Sequence, residues 1–294
     1  MLAKRQRMCY TIAMMKILTD VHTHTSFSPD GRDTIENMLQ TAHEKGFGYY
    51  GIAEHFDYDI IVDDIPPFMD GYVHVNPQAY FSRGRELQAE YAGKMHVLLG
   101  AECAYTDSPK AHAMYKKLCD TYAPDFVVNS LHCLPCGDYY RGQPFYNKDG
   151  SLRNKDEVYG EYFALIRRSL DVEYHYDILA HLTYCARYAP YEDRLVRWKD
   201  YSVAIDDILQ TLIARGKILE VNTSNKGYPG WAIPNTEILE RYFELGGRKI
   251  SFASDAHFVS RIGDNREQVM DMLRAIGFEY ITVPVRKKHV EVEI

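Results

Sequence analysis

Two short motifs far apart in the chain carry side chains that bind metal ions. His22 and His24 are separated by one residue, as are Asp255 and His257, and Asp30 follows the first pair in a loop. In an extended segment residues i and i+2 point to the same side, so each pair can reach one ion. One such pair is weak evidence by itself, because histidines two apart also arise by chance on solvated strands.

The positions of the other histidines strengthen the metal hypothesis. Six of the twelve histidines lie where a predicted strand ends, and Glu102 ends another strand in the same way. Histidines placed for packing have no reason to follow strand ends, so these six are interpreted as metal ligands and the others as structural. The six are His22, His24, His55, His132, His181 and His257. The other six are His43, His74, His96, His112, His175 and His289.

The donor set indicates the kind of metal centre and its chemistry. Six imidazoles with Asp30, Glu102 and Asp255 exceed the needs of one ion and predict two or three, with Glu102 or Asp255 bridging. Mixed nitrogen and oxygen ligands without thiolate suit zinc, manganese or iron and disfavour calcium and magnesium. Such ions bind the oxygens of a phosphoryl group and convert a bridging water to hydroxide near neutral pH. Metal-assisted hydrolysis is therefore the leading class of reaction.

The elements that must position these residues alternate between strands and helices. Seven β-rich runs are predicted, at Lys16–Val21, Tyr49–Glu54, Val97–Glu102, Phe126–Leu131, Asp177–Leu182, Lys217–Asn222 and Lys249–Asp255, with a last strand at Tyr280–Val285. Helices between strands imply βαβ units and a parallel sheet. No GxGxxG or GxxxxGK[ST] motif follows the first strand, and polar candidates end every strand. Both observations favour a closed barrel, which gathers its site at the carboxyl ends of the strands.

Hydrophobic periodicity predicts the helices. Ile35, Met38, Leu39 and Ala42 form a stripe with helical spacing, and Asp33 with Glu36 is interpreted as its capping pair. A second stripe over 269–276 ends at Gly277. Further helices are predicted within 77–93, 110–121, 156–172, 200–215 and 235–245.

Composition bounds the remaining possibilities. The chain has 294 residues, 46% of them hydrophobic and 26% charged, which is typical of a globular protein. Its net charge of −7 gives no basic surface for nucleic acid, and no apolar run approaches the ~18 residues that cross a bilayer. Residues 1–15 are predicted to be a poorly ordered arm without a signal peptide, and 16–294 a single domain. Six cysteines fit a reducing compartment, so the expected location is cytoplasmic, with no obligate protein partner evident.

Eight segments, taken in order, resemble one family. They are DVHTHTSFSPDG, GIAEHFDY, GRELQAEY, LLGAECAY, DFVVNSLHCLP, DILAHLTYCARY, LEVNTS and SFASDAHF, and they span most of residues 16–258. The chain is similar to the PHP (polymerase and histidinol phosphatase) superfamily, and most of all to its monofunctional histidinol-phosphatase branch. The resemblance implies a distorted (β/α)7 TIM-like barrel, a trinuclear metal centre, and hydrolysis of L-histidinol phosphate in histidine biosynthesis. The family often has another histidine where Asp30 stands.

The resemblance also implies residues that handle the substrate. Arg187, six residues after His181, matches the family's substrate-side arginine, and a guanidinium can bind two phosphate oxygens. We expect either Asp255 or a metal-bound water to manage the protons during catalysis. Weaker substrate candidates are Asn222, Ser224 and Arg261, and loop residues available to the imidazole and amine of the substrate are Glu54, Asp57, Tyr58 and Tyr105.

Three alternatives stay open. The same centre serves other small phosphomonoesters, or phosphodiesters of nucleic acids, elsewhere in the superfamily. A catalytically idle metal-binding protein is a different class, although all nine ligand candidates and Arg187 are present.

Cys133 and Cys136 form a CxxC pair that could indicate a zinc ribbon or redox site, but no second pair exists, and we interpret the motif as coincidence.

Overall fold

A computed structural model describes residues 17–63, 65, 67 and 69–294. The predicted N-terminal arm, residues 1–15, lies outside these described residues. No helix within the described part of the chain is both long enough and apolar enough to cross a membrane.

Seven parallel strands form one sheet whose spatial order follows the order of the chain. They are β1 (Leu18–Asp20), β2 (Phe47–Phe56), β3 (His96–Ala104), β4 (Phe126–Ser130), β7 (Ile178–Leu179), β8 (Ile218–Asn222) and β9 (Ile250–Ala253). All seven coincide with predicted strands, because short runs rich in β-formers between polar turns are a strong local signal.

The first and last of these strands are joined by backbone hydrogen bonds. Val21 N donates to Phe252 O at 3.2 Å, and His24 N donates to Ala256 O at 2.8 Å. These bonds close the sheet into a barrel, and the prediction of a (β/α)7 TIM-like fold is confirmed. The barrel is irregular, since β2 has ten residues whereas β7 has two.

Helices follow every strand of the barrel and cover its outside. They are α1 (Ile35–Glu44), α2 (Tyr58–Asp63), α3 (Pro77–Glu90), α4 (Pro109–Tyr122), α5 (Lys155–Ser169), α6 (Ser202–Ala214), α7 (Thr236–Glu244) and α8 (Arg266–Ile276). The predicted stripe of α1 is buried. Its predicted cap is wrong by one residue: Thr34 accepts the hydrogen bond from Asn37 N, while Asp33 accepts one from Val259 N at 2.9 Å.

Two antiparallel hairpins were not predicted. The first, β5 (Cys133–Leu134) with β6 (Gly137–Asp138), follows β4 and contains the CxxC motif, whose two cysteines are free. The second joins the predicted last strand, β10 (Tyr280–Val285), to β11 (Lys288–Glu293). The first escapes sequence reasoning because its strands have only two residues each. The second had an available signal, since Val290 and Val292 alternate with charged residues in β11.

An apolar layer lies beneath the polar ends of the strands. By strand alternation, Gly51 and Gly100 point to the same side as His55 and Glu102, the interior of the barrel. A Cβ atom on Gly100 would lie only 2.4 Å from the Phe126 ring. Phe126 therefore fills the space that the two glycines leave, and the polar residues stand on a closed apolar floor.

Candidate metal centre

One carboxylate occupies the middle of the predicted ligand set. Glu102 Oε2 lies 2.7 Å from His55 Nδ1, and Glu102 Oε1 lies 3.0 Å from His181 Nε2. Three further imidazoles approach the same carboxylate at 3.3, 3.5 and 3.7 Å, namely those of His132, His22 and His24. Residues at the ends of four other strands of the barrel therefore converge on Glu102.

A second carboxylate connects the remaining candidates. Asp255 Oδ1 lies 3.3 Å from His24 Nε2 and 3.7 Å from His257 Nδ1. Asp30 lies 3.0 Å from His257 Nε2 and 3.7 Å from His55 Nε2. The structure thus brings all nine predicted ligands into one continuous cluster.

The spacing and burial of these donors fit divalent metal ions. With metal–ligand bonds of about 2.1 Å, two ligands of a tetrahedral ion are about 3.4 Å apart. Four groups of three side chains each offer donor atoms that all lie within 4.8 Å of one another. Together these groups contain eight of the nine predicted ligands, all except Asp30. Neither His22 Nε2 nor His24 Nε2, both buried, makes a hydrogen bond to any described residue. Ring nitrogens in this state, facing carboxylates, are arranged for a cation.

The electrostatics of the cluster favour the ionised form of Glu102 and the neutral form of His24. Burial alone would raise the pKa of Glu102, but the surrounding imidazoles, first His22 and His55, hold it well below its usual range. Burial, with the neighbouring His55 and His257, lowers the pKa of His24 well below its usual value. An ionised carboxylate beside a neutral imidazole is the pairing that a divalent ion needs.

Glu220 orients the ligands of two strands, a role that sequence reasoning missed. Its Oε1 lies 2.5 Å from His22 Nδ1, which turns His22 Nε2 toward Glu102. Its Oε2 accepts hydrogen bonds from His181 N and Asn222 Nδ2, both at 3.0 Å. The available signal was a fully buried acid in the middle of the apolar strand β8. Carboxylates that fix a ligating histidine in this way are a recurrent part of metal sites.

Glu54 has a comparable position beneath His24. It accepts hydrogen bonds from the hydroxyls of Thr25 and Ser28, and Ser28 Oγ lies 3.3 Å from His24 Nδ1. Burial raises the pKa of Glu54 to about 7. Glu54 is fully buried, so it supports the loop after β1 and is not placed to touch a substrate.

Arg187 lies at the edge of the cluster. One guanidinium nitrogen donates to Ser224 Oγ at 2.5 Å, and another lies 3.4 Å from Asp255 Oδ2. The rings of Tyr184 and Tyr188 lie 5.4 and 5.3 Å from the guanidinium carbon. The side chain is only 6% exposed, yet its Nε has no acceptor among the described residues. A buried guanidinium with an unused donor is suited to bind an anion.

A cavity of about 490 Å³ opens above the cluster, and only some of the other substrate candidates line it. Ser224 and Arg261 line it, as does Lys226, which sequence reasoning did not single out. Asn222 is fully buried, and its amide is used on Glu220 and on Ser224 N, so it stands behind the cavity wall. Of the two tyrosine candidates, Tyr58 stacks on Tyr115, and Tyr105 donates to Asp107 at 2.6 Å outside this cavity.

The backbone is strained at two of the predicted ligands. His181 and Asp255 have φ values of +29° and +52°, in the left-handed region that side chains other than glycine rarely adopt. His181 N is held by Glu220, and Asp255 N donates to His22 O at 2.9 Å. Such strain costs about 1–3 kcal/mol per residue and concentrates at functional sites.

Comparisons with known proteins agree with the geometry. The family model of the PHP domain matches residues 20–224. A probable histidinol-phosphatase of Clostridium acetobutylicum is 30% identical over 265 residues, which cover 88% of this chain and 96% of the relative. The histidinol-phosphatase of Lactococcus lactis is 26% identical, covering 88% and 91%.

One solved structure supports the fold. The histidinol phosphate phosphatase of Lactococcus lactis, determined with zinc, L-histidinol and phosphate, superimposes with a TM-score of 0.77 at 24% identity. The match covers 92% of this chain and 98% of that one. From the family model and the relatives together, the chain belongs to the PHP domain family.

Proposed function

We propose that this protein is a metal-dependent phosphomonoesterase that hydrolyses L-histidinol phosphate to L-histidinol and phosphate. The single observation that carries the proposal is the position of Arg187, a buried cation 3.4 Å from Asp255 at the edge of nine convergent metal-ligand candidates. This arrangement offers a phosphoryl group both a cation and a metal centre. The relatives of similar length are named for the same reaction.

The proposed ligands of two or three divalent ions are the nine residues predicted from the sequence. Bound zinc, manganese or iron would act as a Lewis acid toward the phosphoryl oxygens and lower the pKa of a coordinated water. Glu102, within 3.7 Å of five imidazoles, is the residue placed to serve more than one ion. All three metals accept imidazole and carboxylate ligands.

The residues of the chain itself position the ester and its protons. Arg187 binds phosphate oxygens through the guanidinium N–H groups that remain free, while its contacts with Ser224 and Asp255 hold the side chain in place. Asp255 is the carboxylate nearest this cation, so we assign it the proton exchanged with the attacking water. The basic wall of the cavity, with Lys226 and Arg261, draws in the dianionic ester.

A panel of substrates tests the proposed function. Metal-reconstituted protein should release phosphate from L-histidinol phosphate with a kcat/KM at least about 100-fold above that for generic sugar phosphates. A single-stranded oligonucleotide should not be degraded, because the chain is acidic. Preference for a sugar phosphate or for the oligonucleotide would assign the centre to another phosphoester. Metal-loaded protein inactive on every ester would indicate an idle metal-binding protein.

Glu220→Gln is expected to weaken metal binding without removing a proposed ligand. Glutamine has only one acceptor oxygen, so it cannot accept from His181 N and Asn222 Nδ2 on one side and from His22 Nδ1 on the other, and the charge opposite His22 is lost. Losing such an orienting carboxylate typically costs about 10–100-fold in metal affinity. Competition with a chromogenic chelator measures this, with Glu240→Gln on the exposed side of α7 as the control. Equal affinities in Glu220→Gln and the control would show that Glu220 only fills space.

A further inference from the structure

The walls of the cavity above the metal-ligand cluster carry opposite charges. Arg187, Lys226 and Arg261 stand on the side of Asp255. Asp57, Asp59 and Asp138 line the same cavity on the side of His132. Asp57 Oδ1 lies 3.9 Å from His132 Nδ1. Asp138 Oδ2 lies 3.6 Å from the Sγ of Cys133, the residue that follows His132.

Among the described residues, the acidic wall has no lysine or arginine side chain as an ion-pair partner. Within the described residues, no lysine or arginine side-chain nitrogen lies within 4.0 Å of a carboxylate oxygen of Asp57, Asp59 or Asp138. Asp57 and Asp59 are only 3% and 1% exposed. One oxygen of each, Oδ1, accepts no hydrogen bond from a described residue. A buried carboxylate oxygen without a donor is costly, so this wall is suited to a cationic donor that the described residues do not supply.

The metal centre accounts for only part of this wall. Asp57 shares a group of potential ligands with His55 and His132, so an ion there would also contact Asp57. Asp59 and Asp138 belong to none of the four ligand groups found among the described residues. Asp138 already accepts hydrogen bonds from Tyr140 N and Arg141 N, which fix its carboxylate. Asp59 is therefore a buried acid of this wall with neither a cationic side-chain partner among the described residues nor a place in a ligand group.

Resting on the proposed function, we propose that Asp59, with Asp57 and Asp138, forms a subsite for the protonated amine of an amino-alcohol phosphate. The ester binds across the cavity with its phosphate at Arg187 and its ammonium at Asp59. An ammonium provides three N–H donors and one positive charge, and both are what the acidic wall lacks. The enzyme thus selects phosphomonoesters that carry a cation near the ester oxygen.

Two esters that differ only in the amine test the subsite. L-histidinol phosphate carries it, and 3-(imidazol-4-yl)propyl phosphate lacks it. Wild-type, metal-reconstituted protein should favour the aminated ester by at least about tenfold in kcat/KM. Asp59→Asn should lower kcat/KM for the aminated ester by about tenfold or more and leave the other within about twofold. Asp120→Asn, an exposed acid of α4, is the matched control and should behave as wild type.

A binding measurement separates the subsite from the reaction. Calorimetry on the metal-loaded protein should show L-histidinol binding more tightly than 3-(imidazol-4-yl)propan-1-ol, and Asp59→Asn should abolish the difference while keeping its metal content. If neither ester is hydrolysed, the proposed function fails and this calorimetric difference alone decides the subsite. If both esters are hydrolysed equally well by the wild type, or if Asp59→Asn slows both equally or loses metal, the subsite is wrong and the proposed function stands.

Discussion

Asp255→Asn is expected to lose bound metal and phosphatase activity together. Asp255 lies 3.3 Å from His24 Nε2, 3.7 Å from His257 Nδ1 and 3.4 Å from Arg187. Its carboxylate therefore contacts both proposed metal ligands and the proposed phosphate-binding arginine. Asparagine keeps the shape and tolerates the left-handed backbone at φ +52°, whereas alanine would add strain there. Losing an orienting carboxylate costs about 10–100-fold in metal affinity, and losing a ligand should cost more.

Three measurements on this variant separate a metal defect from misfolding. Elemental analysis should find fewer ions per chain than in the wild type, and kcat should fall by about a thousandfold or more. Chelation should lower the melting temperature of the wild type, because metal binds only the folded state, and should lower that of Asp255→Asn less. Asp271→Asn, on the exposed face of α8, is the control. A variant that keeps its full metal content and turnover would remove Asp255 from the centre.

Arg187→Ala is expected to keep its metal and lose its activity. The guanidinium touches Asp255 and Ser224 but belongs to none of the ligand groups. Removing a cation that neutralises phosphoryl oxygens should lower kcat/KM by about 10²–10³-fold. Arg187→Lys should recover only part of this, because an ammonium lacks the two-pronged geometry of the guanidinium.

Inhibition by inorganic phosphate shows whether Arg187 binds the anion directly. The inhibition constant should rise by at least about tenfold in Arg187→Ala, whereas elemental analysis should find the wild-type metal content. Arg248→Ala, at an exposed position after α7, should change neither quantity. Loss of metal in Arg187→Ala would make its role structural, and an unchanged inhibition constant would separate it from phosphate binding.

The barrel and the gathering of its ligands could be predicted from the sequence because both depend on local patterns. His22 and His24 follow from strand alternation, and His132 and His181 from their positions at strand ends. Parallel strands in a closed barrel bring all such ends to one face, so the histidines meet without any knowledge of individual contacts. Their roles as ligands remain predictions that the variants above test.

The residues that orient the ligands could not be predicted in the same way. The contact between His22 and Glu220 joins residues 198 positions apart, and which interior acid meets which imidazole depends on the register of closure. Asn222 is a polar residue at a strand end and was therefore predicted to contact substrate, but its side-chain amide donates a hydrogen bond to Glu220 instead. Lys226 and Asp59 lie in the loop after β8 and in the short helix α2, where no periodic pattern marks a side chain as facing the cavity.

The most direct test of a metal-dependent histidinol phosphatase is phosphate release from L-histidinol phosphate by one protein sample before chelation, after chelation and after metal is restored. Activity should disappear on chelation and return in proportion to the zinc, manganese or iron bound, saturating at two or three ions per chain. Full activity in protein shown by elemental analysis to be metal-free, or none at saturating metal, would contradict it.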